Sequence, residues 1–194
     1  MSDKSLFNLE RTALIIVDLQ QGIVGMPASP HPAPVVVSHA AQMALGFRAS
    51  GGLVVLVHVG PSPDGKDSLR PITDEAAKWP SLPEGWDTIV PELGPQPEDV
   101  VIRKRQWGAF YGTDLDLELR RRGKDSIVLC GISTNYGVES TARDAYERGY
   151  QQIFVEDACS ARSEEDHVFA MTRIFPRIGR VRSTQAVLEA LIRR

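Results

Sequence analysis

Short, continuous apolar runs recur along the chain and alternate with longer segments that have helical periodicity. Runs such as those at 14–17 and 53–57 are typical of strands that are covered on both faces. Strands are predicted over 12–18, 53–59, 99–103, 126–130, 152–156 and 178–182, and helices over 34–50, 113–122, 135–149, 164–175 and 184–193. Repeated strand–helix units predict an α/β fold, a three-layer α/β/α sandwich with a mostly parallel sheet and right-handed crossovers.

The composition favours one compact domain over residues 1–194 and excludes several classes of partner. With 194 residues and 42% hydrophobic content, a domain of this size buries about 70% of its unfolded surface. The net charge of −3 and the pI near 5.8 give no general attraction to nucleic acid or to an anionic membrane. Two cysteines, no signal peptide and no apolar run near 18 residues predict a cytoplasmic protein that binds no membrane.

The segment 60–98 interrupts this alternation. It contains eight prolines, Trp79 and Trp86, and it lacks a convincing periodicity. Loops this long in a compact domain are usually functional or disordered, and the two tryptophans argue against full disorder. We therefore expect an ordered, Pro-rich excursion over 60–98.

Polar residues stand where several of the predicted strands end. Asp18 follows the first strand, Lys104 follows the third, and the fourth runs into a small polar turn that opens a helix near Gly137. Ligands of parallel α/β sheets bind beyond the carboxyl ends of the strands, where helix N-termini present backbone N–H groups. Taken alone, Asp18 is also compatible with a structural aspartate that binds loop amides, and Lys104 with a solvated lysine. No strand is followed by G-x-G-x-x-G or by a P-loop, so a dinucleotide or P-loop site is excluded on its own signature.

Three ordered blocks carry a resemblance to a known family: TALIIVDLQQGIV at 12–24, VIRKRQWGAFYGTDL at 101–115 and IVLCGISTNYGVESTARDA at 127–145. From about residue 10 to its end the chain resembles the isochorismatase-like superfamily of cysteine hydrolases, and especially the YecD-type branch. The resemblance implies a six-stranded sheet in Rossmann-like order. It also places the three catalytic stations of the family at Asp18, Lys104 and residue 137. In the family a nucleophilic cysteine stands where this chain has Gly137, and the resemblance implies that the YecD-type branch lacks it as well.

With a glycine at this position, an acyl-enzyme route through residue 137 is excluded. We expect the part of the site that stabilises negative charge to remain. This part is the oxyanion turn formed by Ile132, Ser133, Thr134 and Asn135, and it does not depend on a thiol. The resemblance also implies a cis peptide at Ile132–Ser133. True isochorismatases likewise have glycine here, and they hydrolyse a vinyl ether to release pyruvate. By that analogy Asp18 is the general acid/base, and Lys104 is the electrostatic partner that binds or polarises substrate oxygens. A neighbouring ammonium lowers the pKa of a carboxyl group, so only burial would keep Asp18 acidic enough in this role.

Several residues near these stations are candidates for a substrate pocket: Gln20, Trp107, Phe110 and Tyr111. For Phe110 a core position is favoured, because it occupies a packing position of the family as well. Trp107 and Tyr111 are suited to wall a pocket for a flat ligand, and equally to a subunit contact.

Three functions are compatible with this chain. The first is a hydrolase of a small metabolite that acts without a cysteine nucleophile. The second is a noncatalytic small-molecule-binding or scaffold protein on the same fold. The third is an amidase with a displaced thiol, for which Cys159 is the candidate, although Cys130 and Cys159 are both typical of buried packing residues.

We expect no cofactor and no metal. Nicotinamidases of this fold often carry an Asp/His cluster after the second strand, whereas this chain has His58-Val59-Gly60-Pro61 there. His31, His39, His58 and His167 are scattered without the spacing of metal ligands. The resemblance implies a homo-oligomer, either a dimer or a tetramer. It also implies that the excursion at 60–98 either covers the active site as a lid or packs against another subunit, for which it offers apolar surface.

Overall fold

Six parallel strands form the centre of the computed structural model, which describes residues 6–75 and 82–192. The strands are β1 (Thr12–Val17), β2 (Leu53–Val59), β3 (Val100–Lys104), β4 (Ser126–Ile132), β5 (Gln151–Ser160) and β6 (Arg180–Arg182). Their spatial order is β3-β2-β1-β4-β5-β6, and every neighbouring pair is parallel. The predicted α/β fold with a Rossmann-like sheet is thus confirmed.

Helices connect the strands and cover both faces of the sheet. They are α1 (Gln21–Val24), α2 (Ala33–Ala49), α3 (Leu115–Arg121), α4 (Glu139–Glu147), α5 (Glu164–Phe169), α6 (Phe175–Ile178) and α7 (Thr184–Ile192). Short 3-10 helices lie at Leu9–Arg11 and Pro91–Leu93, and π-helical turns lie at Thr134–Val138 and Ala170–Ile174. Helix α2 packs against α7, and α4 packs against α6. None of the described helices is long and apolar enough to cross a bilayer.

The continuous apolar runs became the central strands of the sheet. Every residue of β1 and of β4 is buried, because these neighbouring strands have further strands beside them and helices above and below. Gly131 lies where β4 approaches β1 most closely. Its φ is +129°, and a Cβ there would lie only 2.0 Å from the Val17 carbonyl oxygen. A side chain at this position would force the two strands apart.

The predicted strands and helices differ from the structure mainly at their ends. Strand β5 was predicted over 152–156 but continues to Ser160, because its register with β4 shifts in the segment that contains Glu156 and Asp157 and the pairing resumes at Cys159. The helical segment predicted over 164–175 continues through α6 to Ile178, so β6 starts two residues later than predicted.

The described parts of the 60–98 excursion contain turns and one short 3-10 helix, as expected for an ordered loop. Trp86 lies directly against Gly22, where an added Cβ would come within 2.0 Å of the indole ring. The Gly22 N–H also donates to the Trp86 carbonyl at 2.9 Å. This part of the excursion is therefore fastened over α1 at the carboxyl edge of the sheet, whereas Trp79 lies outside the described residues.

Candidate active site

Asp18 lies immediately beyond β1, at the centre of the carboxyl edge of the sheet. It adopts a left-handed backbone conformation with φ of +56°, and its N–H donates to the Val57 carbonyl at 2.8 Å. Aspartate is one of the few residues other than glycine that tolerates this region. The turn leaves Asp18 only 5% exposed, so its carboxyl group is enclosed by protein.

Lys104 is the last residue of β3, and its side chain reaches this carboxyl group. Its Nζ lies 2.7 Å from Asp18 Oδ2, 3.1 Å from the Gln106 carbonyl oxygen and 2.7 Å from the Trp107 carbonyl oxygen. An ammonium group has three N–H donors, and these contacts use all of them. The side chain is also only 1% exposed. Lys104 therefore acts on Asp18 and on the surrounding field, and the expectation that it binds substrate oxygens directly is not supported by this geometry.

The carboxyl group of Asp18 is electrostatically unusual. Burial, the larger effect, raises the pKa of Asp18 to about 6, although the neighbouring Lys104 charge and hydrogen bond lower it. Only Oδ2 is hydrogen-bonded; the buried Oδ1 has no hydrogen-bond partner among the described residues. Burial thus offsets the ammonium, and a protonatable oxygen is left on the side of the carboxyl group away from Lys104.

Gly137 faces this pair across the edge of the sheet. A Cβ at this position would lie 2.9 Å from Asp18 Oδ2, 3.1 Å from Val17 Cγ1 and 3.5 Å from Lys104 Nζ. The family's cysteine position and the other two predicted stations are therefore adjacent in space. A side chain here would also crowd Asp18 Oδ2, the oxygen that accepts from Lys104 Nζ. The absence of a side chain at residue 137 therefore leaves room for the ion pair.

Thr141, which sequence reasoning did not identify, fixes the position of Gly137. Its hydroxyl donates to the Gly137 carbonyl at 2.6 Å and accepts from the Ala109 N–H at 3.1 Å. This buried link joins the first turn of α4 to the segment that follows Lys104. Thr141 lies four residues after Gly137, the spacing of neighbours on one helix face, and that spacing was the available signal.

The turn before Gly137 is closed by its own side chains. The Ile132–Ser133 peptide is cis, as the family resemblance implied. Ser133 Oγ donates to Asn135 Oδ1 at 2.8 Å, and Thr134 Oγ1 shares a hydrogen bond of 2.9 Å with His167 Nδ1. These contacts hold the turn in place, and an oxyanion-binding role for its backbone amides stays a prediction.

The four predicted pocket residues lie in different environments. Trp107 is 62% exposed and packs on Tyr136, the residue before Gly137, with ring centroids 4.8 Å apart. Tyr111 is 74% exposed. Phe110 is buried in the core, where its ring packs against Tyr150, so the core interpretation fits this residue better than a pocket wall.

Gln20, the fourth of them, is a structural clamp in this protein. It is fully buried, and its amide accepts from the Val59 N–H at 2.7 Å and donates to the Val59 and Trp86 carbonyls at 2.9 and 3.2 Å. The backbone of β2 and of the excursion already uses these polar groups. The prediction that Gln20 contacts substrate needs correction for this reason.

The two cysteines are buried packing residues on β4 and β5. Cys130 and Cys159 are free thiols with no exposed surface. Burial is the largest cause that raises the pKa of each thiol above its ordinary value. A thiolate is the nucleophilic form, so neither environment activates a thiol.

Two of the four histidines, which lack the spacing of metal ligands in the sequence, lie close together in the fold. His31, at the start of the α2 region, and His167, in α5, both approach Glu156 of β5, and their ligand atoms lie within 4.8 Å of one another. His58 instead bonds the Asp87 carbonyl at 2.9 Å through Nδ1. The residues of the cluster are far apart in sequence and share no ligand spacing, so no signal in the sequence pointed to them.

Comparison with known proteins identifies the relatives of this chain. The family model described as Isochorismatase domain matches residues 12–186. The isochorismatase family protein YecD of Escherichia coli O157:H7 is 52% identical over 95% of this chain and 98% of its own length. The ureidoacrylate amidohydrolase RutB of Azorhizobium caulinodans is 33% identical over 77% of this chain and 76% of its own length. A solved isochorismatase family protein from Burkholderia thailandensis is 48% identical, with a TM-score of 0.91 over 94% of this chain and 96% of that one.

Proposed function

Because the chain belongs to the isochorismatase family, we propose that it is a hydrolase of a small metabolite that acts without a cysteine nucleophile. The observation that carries this proposal is the buried Asp18–Lys104 pair beside a residue with no side chain. Asp18 Oδ2 and Lys104 Nζ are 2.7 Å apart, and a Cβ at Gly137 would touch the same oxygen. The nucleophile is missing, while the acid and its electrostatic partner are present.

In this proposal Asp18 is the general acid/base. A carboxyl group with a pKa of about 6 carries a proton in part of the molecules near neutral pH, and it exchanges that proton readily. The unpartnered Oδ1 donates the proton to the terminal carbon of an enol ether, which leaves an oxocarbenium ion. Water adds to the cationic carbon and returns one proton to Asp18, and the hemiketal then collapses to a ketone and an alcohol. No step requires a covalent bond to the protein.

Lys104 supplies electrostatics in this scheme. Its three donors are occupied by Asp18 and by the Gln106 and Trp107 carbonyls, so it holds the carboxyl group in one orientation. Its positive charge also stabilises the carboxylate that forms when Asp18 has given up its proton. The charge of Lys104 thus keeps the pKa of Asp18 lower than burial alone would make it.

The relatives support a hydrolase and leave the bond type open. The name of RutB describes it as an amidohydrolase acting on ureidoacrylate. We propose vinyl-ether hydrolysis for this chain because Gly137 provides no nucleophile for an acyl-enzyme, whereas proton transfer from Asp18 needs none. A small, anionic or cyclic metabolite is the substrate class that we propose.

Pyruvate release from isochorismate tests the proposal. Purified wild-type protein is compared with Asp18→Asn and with Asp99→Asn, a control that weakens another ion pair, the one with Arg48 at 2.7 Å. Turnover by the wild type and the control, with loss in Asp18→Asn, supports the proposal. Equal turnover by the wild type and Asp18→Asn contradicts the role of Asp18.

A binding role is the second candidate, because the donors of Lys104 are already occupied and residue 137 offers no nucleophile. A ligand that binds near Asp18 and is recovered unchanged after long incubation would favour this role. The displaced-thiol amidase has little support, since Cys159 is buried and its pKa is raised.

The proposal extends to the organisation of the protein. We propose a single domain over residues 1–194, a homo-oligomer, and a cytoplasmic location. The excursion at 60–98 serves as a lid or as a subunit contact. This proposal is supported by the packing of Trp86 against Gly22, which lies close to Asp18 in the sequence. Size-exclusion chromatography with light scattering measures the number of subunits.

A further inference from the structure

A second polar group lies on the carboxyl edge of the sheet, on the side of β4 away from Lys104. His31 Nε2 is 2.9 Å from Glu156 Oε1, and His167 Nε2 is 3.2 Å from the same oxygen. The two imidazole rings meet edge to face, at 85° and with centroids 5.5 Å apart. Two imidazole nitrogens and one carboxylate oxygen thus converge on a single region. Vinyl-ether hydrolysis at Asp18 makes no use of them.

This ligand set is that of a zinc site. Two histidines and one carboxylate bind Zn²⁺ in open sites, with a solvent molecule in the fourth position. Metal–ligand bonds of about 2.1 Å at tetrahedral angles separate the ligand atoms by roughly 3.4 Å. The two observed nitrogen–oxygen separations, 2.9 and 3.2 Å, are shorter than that value by about 0.5 and 0.2 Å, and all three ligand atoms lie within 4.8 Å of one another. To admit an ion, the carboxylate oxygen must move away from the two nitrogens, and the partly exposed side chains of His31 and Glu156 leave room for this movement.

The ligands are held by contacts outside the cluster. Thr134 Oγ1 bonds Nδ1 of His167 at 2.9 Å, which directs Nε2 toward Glu156. Metal-binding histidines almost always have such a partner on the other ring nitrogen. The segment that carries His31 is fastened to the end of β5 by two backbone hydrogen bonds of 2.9 Å between Ser29 and Ala161. The geometry is therefore largely set before an ion arrives.

The surroundings suit a cation that exchanges with solvent. The first turn of α5 contains Glu164, Glu165 and Asp166, directly before His167. The side chains of His31 and Glu156 are 27% and 42% exposed, whereas that of His167 is 2% exposed. An ion would enter from the side of the two exposed ligands and keep a coordination position open to water.

From these observations we propose that His31, Glu156 and His167 form a binding site for a divalent transition-metal ion of the zinc type. The ion links three parts of the chain: the segment before α2, the middle of β5, and α5. His167 also shares a hydrogen bond with Thr134, so the site is connected to the turn that leads to Gly137. The same three residues without an ion form an ordinary hydrogen-bonded cluster, so binding measurements decide between the two.

The test is titration of chelator-treated, desalted protein with Zn²⁺ by calorimetry and with Co²⁺ by visible absorption. We compare the wild type with His31→Gln and Glu156→Gln, which alter the exposed ligands and leave buried His167 in place. His58→Gln is the matched control, because its imidazole also lies at the end of a strand and bonds a backbone carbonyl.

We expect one ion per chain, intense Co²⁺ absorption of a site with fewer than six ligands, and a higher melting temperature with Zn²⁺. Each ligand variant should weaken binding at least about tenfold, the size of effect seen even when only a supporting residue is removed. The control should bind as the wild type does. Absence of saturable binding to the wild type would overturn the proposal, and so would equal affinity in wild type and ligand variants. Neither result bears on the role of Asp18.

Discussion

The Asp18–Lys104 pair and the His31–Glu156–His167 cluster lie on the same edge of one sheet but differ in almost every physical respect. The pair is closed: the two side chains are 7% and 1% exposed, and every donor of Lys104 is occupied. The cluster is half open, with two of its three side chains at 27% and 42% exposure. A closed pair is suited to storing and releasing a proton, whereas an open set of nitrogen and oxygen ligands is suited to receiving an ion.

The difference also shows how burial determines chemistry. Around Asp18, loss of solvent raises the pKa of the carboxyl group more than the adjacent ammonium lowers it. Around Glu156, which is partly exposed, the hydrogen bonds and charges of His31 and His167 leave the pKa of the carboxyl group below its ordinary value, although burial opposes this. The pKa values of the two carboxyl groups are thus shifted in opposite directions, and the deeper burial of Asp18 accounts for the difference.

The largest difference between the Asp18–Lys104 pair and the His31–Glu156–His167 cluster should be in their effect on turnover. Asp18→Asn removes the acid and should lower kcat/KM for an enol ether by about 10²–10⁴-fold, the usual contribution of a positioned acid. Steady-state pyruvate release measures this, with Asp99→Asn as the control. A loss smaller than tenfold would show that the proton comes from another group.

The second effect is on stability. Lys104→Met leaves the buried carboxyl group without its partner and should cost about 3–5 kcal/mol in the free energy of unfolding. The double variant Asp18→Asn/Lys104→Met should recover part of this cost, because no uncompensated buried charge is left. His31→Gln, at a partly exposed position, should cost only about 1 kcal/mol. Urea denaturation measures these three variants and the single variant Asp18→Asn, and additive effects at Asp18 and Lys104 would argue against coupling.

The third effect is a pH dependence. As an acid, Asp18 must be protonated, so kcat/KM should fall about tenfold per pH unit above a pKa of about 6. The pKa of Asp18 is higher in the folded protein than the ordinary value of 3.8. Its contribution to stability is therefore fully present below about pH 4 and is lost as the pH rises through about 6. Carbon-13 NMR of labelled aspartate follows the titration, which should move upward in Lys104→Met.

A smaller effect is expected at Gly137. Gly137→Ala places a Cβ 2.9 Å from Asp18 Oδ2 and 3.1 Å from Val17 Cγ1, so the carboxyl group or the turn must shift. We expect a loss of about 1–3 kcal/mol, as for other overpacked positions. Gly108→Ala is the control, since a Cβ there finds its nearest neighbours at 3.6 Å, an ordinary contact. Equal melting temperatures of the two variants would contradict the close fit at Gly137.

The smallest effect should be at the thiols. Because Cys130 and Cys159 are buried and their pKa values are raised, neither should react with a thiol reagent in the folded protein. Cys159→Ala should leave turnover within about twofold, with only a modest packing cost. Rapid labelling of one thiol per native chain would reopen the displaced-thiol alternative.

The sequence was informative where a structural pattern and a polar residue coincide. The six predicted strands correspond to the six strands of the sheet, and Asp18 and Lys104 were singled out because they stand at strand ends and at positions that the family resemblance makes catalytic. The pattern was less informative about β5, where Glu156 and Asp157 interrupt the apolar run inside the strand. It also did not show that Gln20 is a clamp, because hydrogen bonds to a distant backbone leave no local pattern.

The His31–Glu156–His167 cluster could not be predicted in this way. Its residues come from a loop, a strand and a helix, and only the parallel sheet with its crossovers brings them together. Whether such residues meet depends on where each strand and helix ends, and a sequence pattern defines these ends least precisely. The same holds for Thr141, whose link to Ala109 crosses from α4 to the segment after β3.

The most direct test of a hydrolase that needs an acid and no thiol is a comparison of two variants on one substrate. Cys130→Ala/Cys159→Ala has no cysteine at all, since the chain contains only these two, and Asp18→Asn keeps both thiols while lacking the acid. Pyruvate release from isochorismate should persist in the cysteine-free protein, once circular dichroism shows a native fold, and should disappear in Asp18→Asn. Turnover that is lost without the cysteines and retained without the acid would contradict the account.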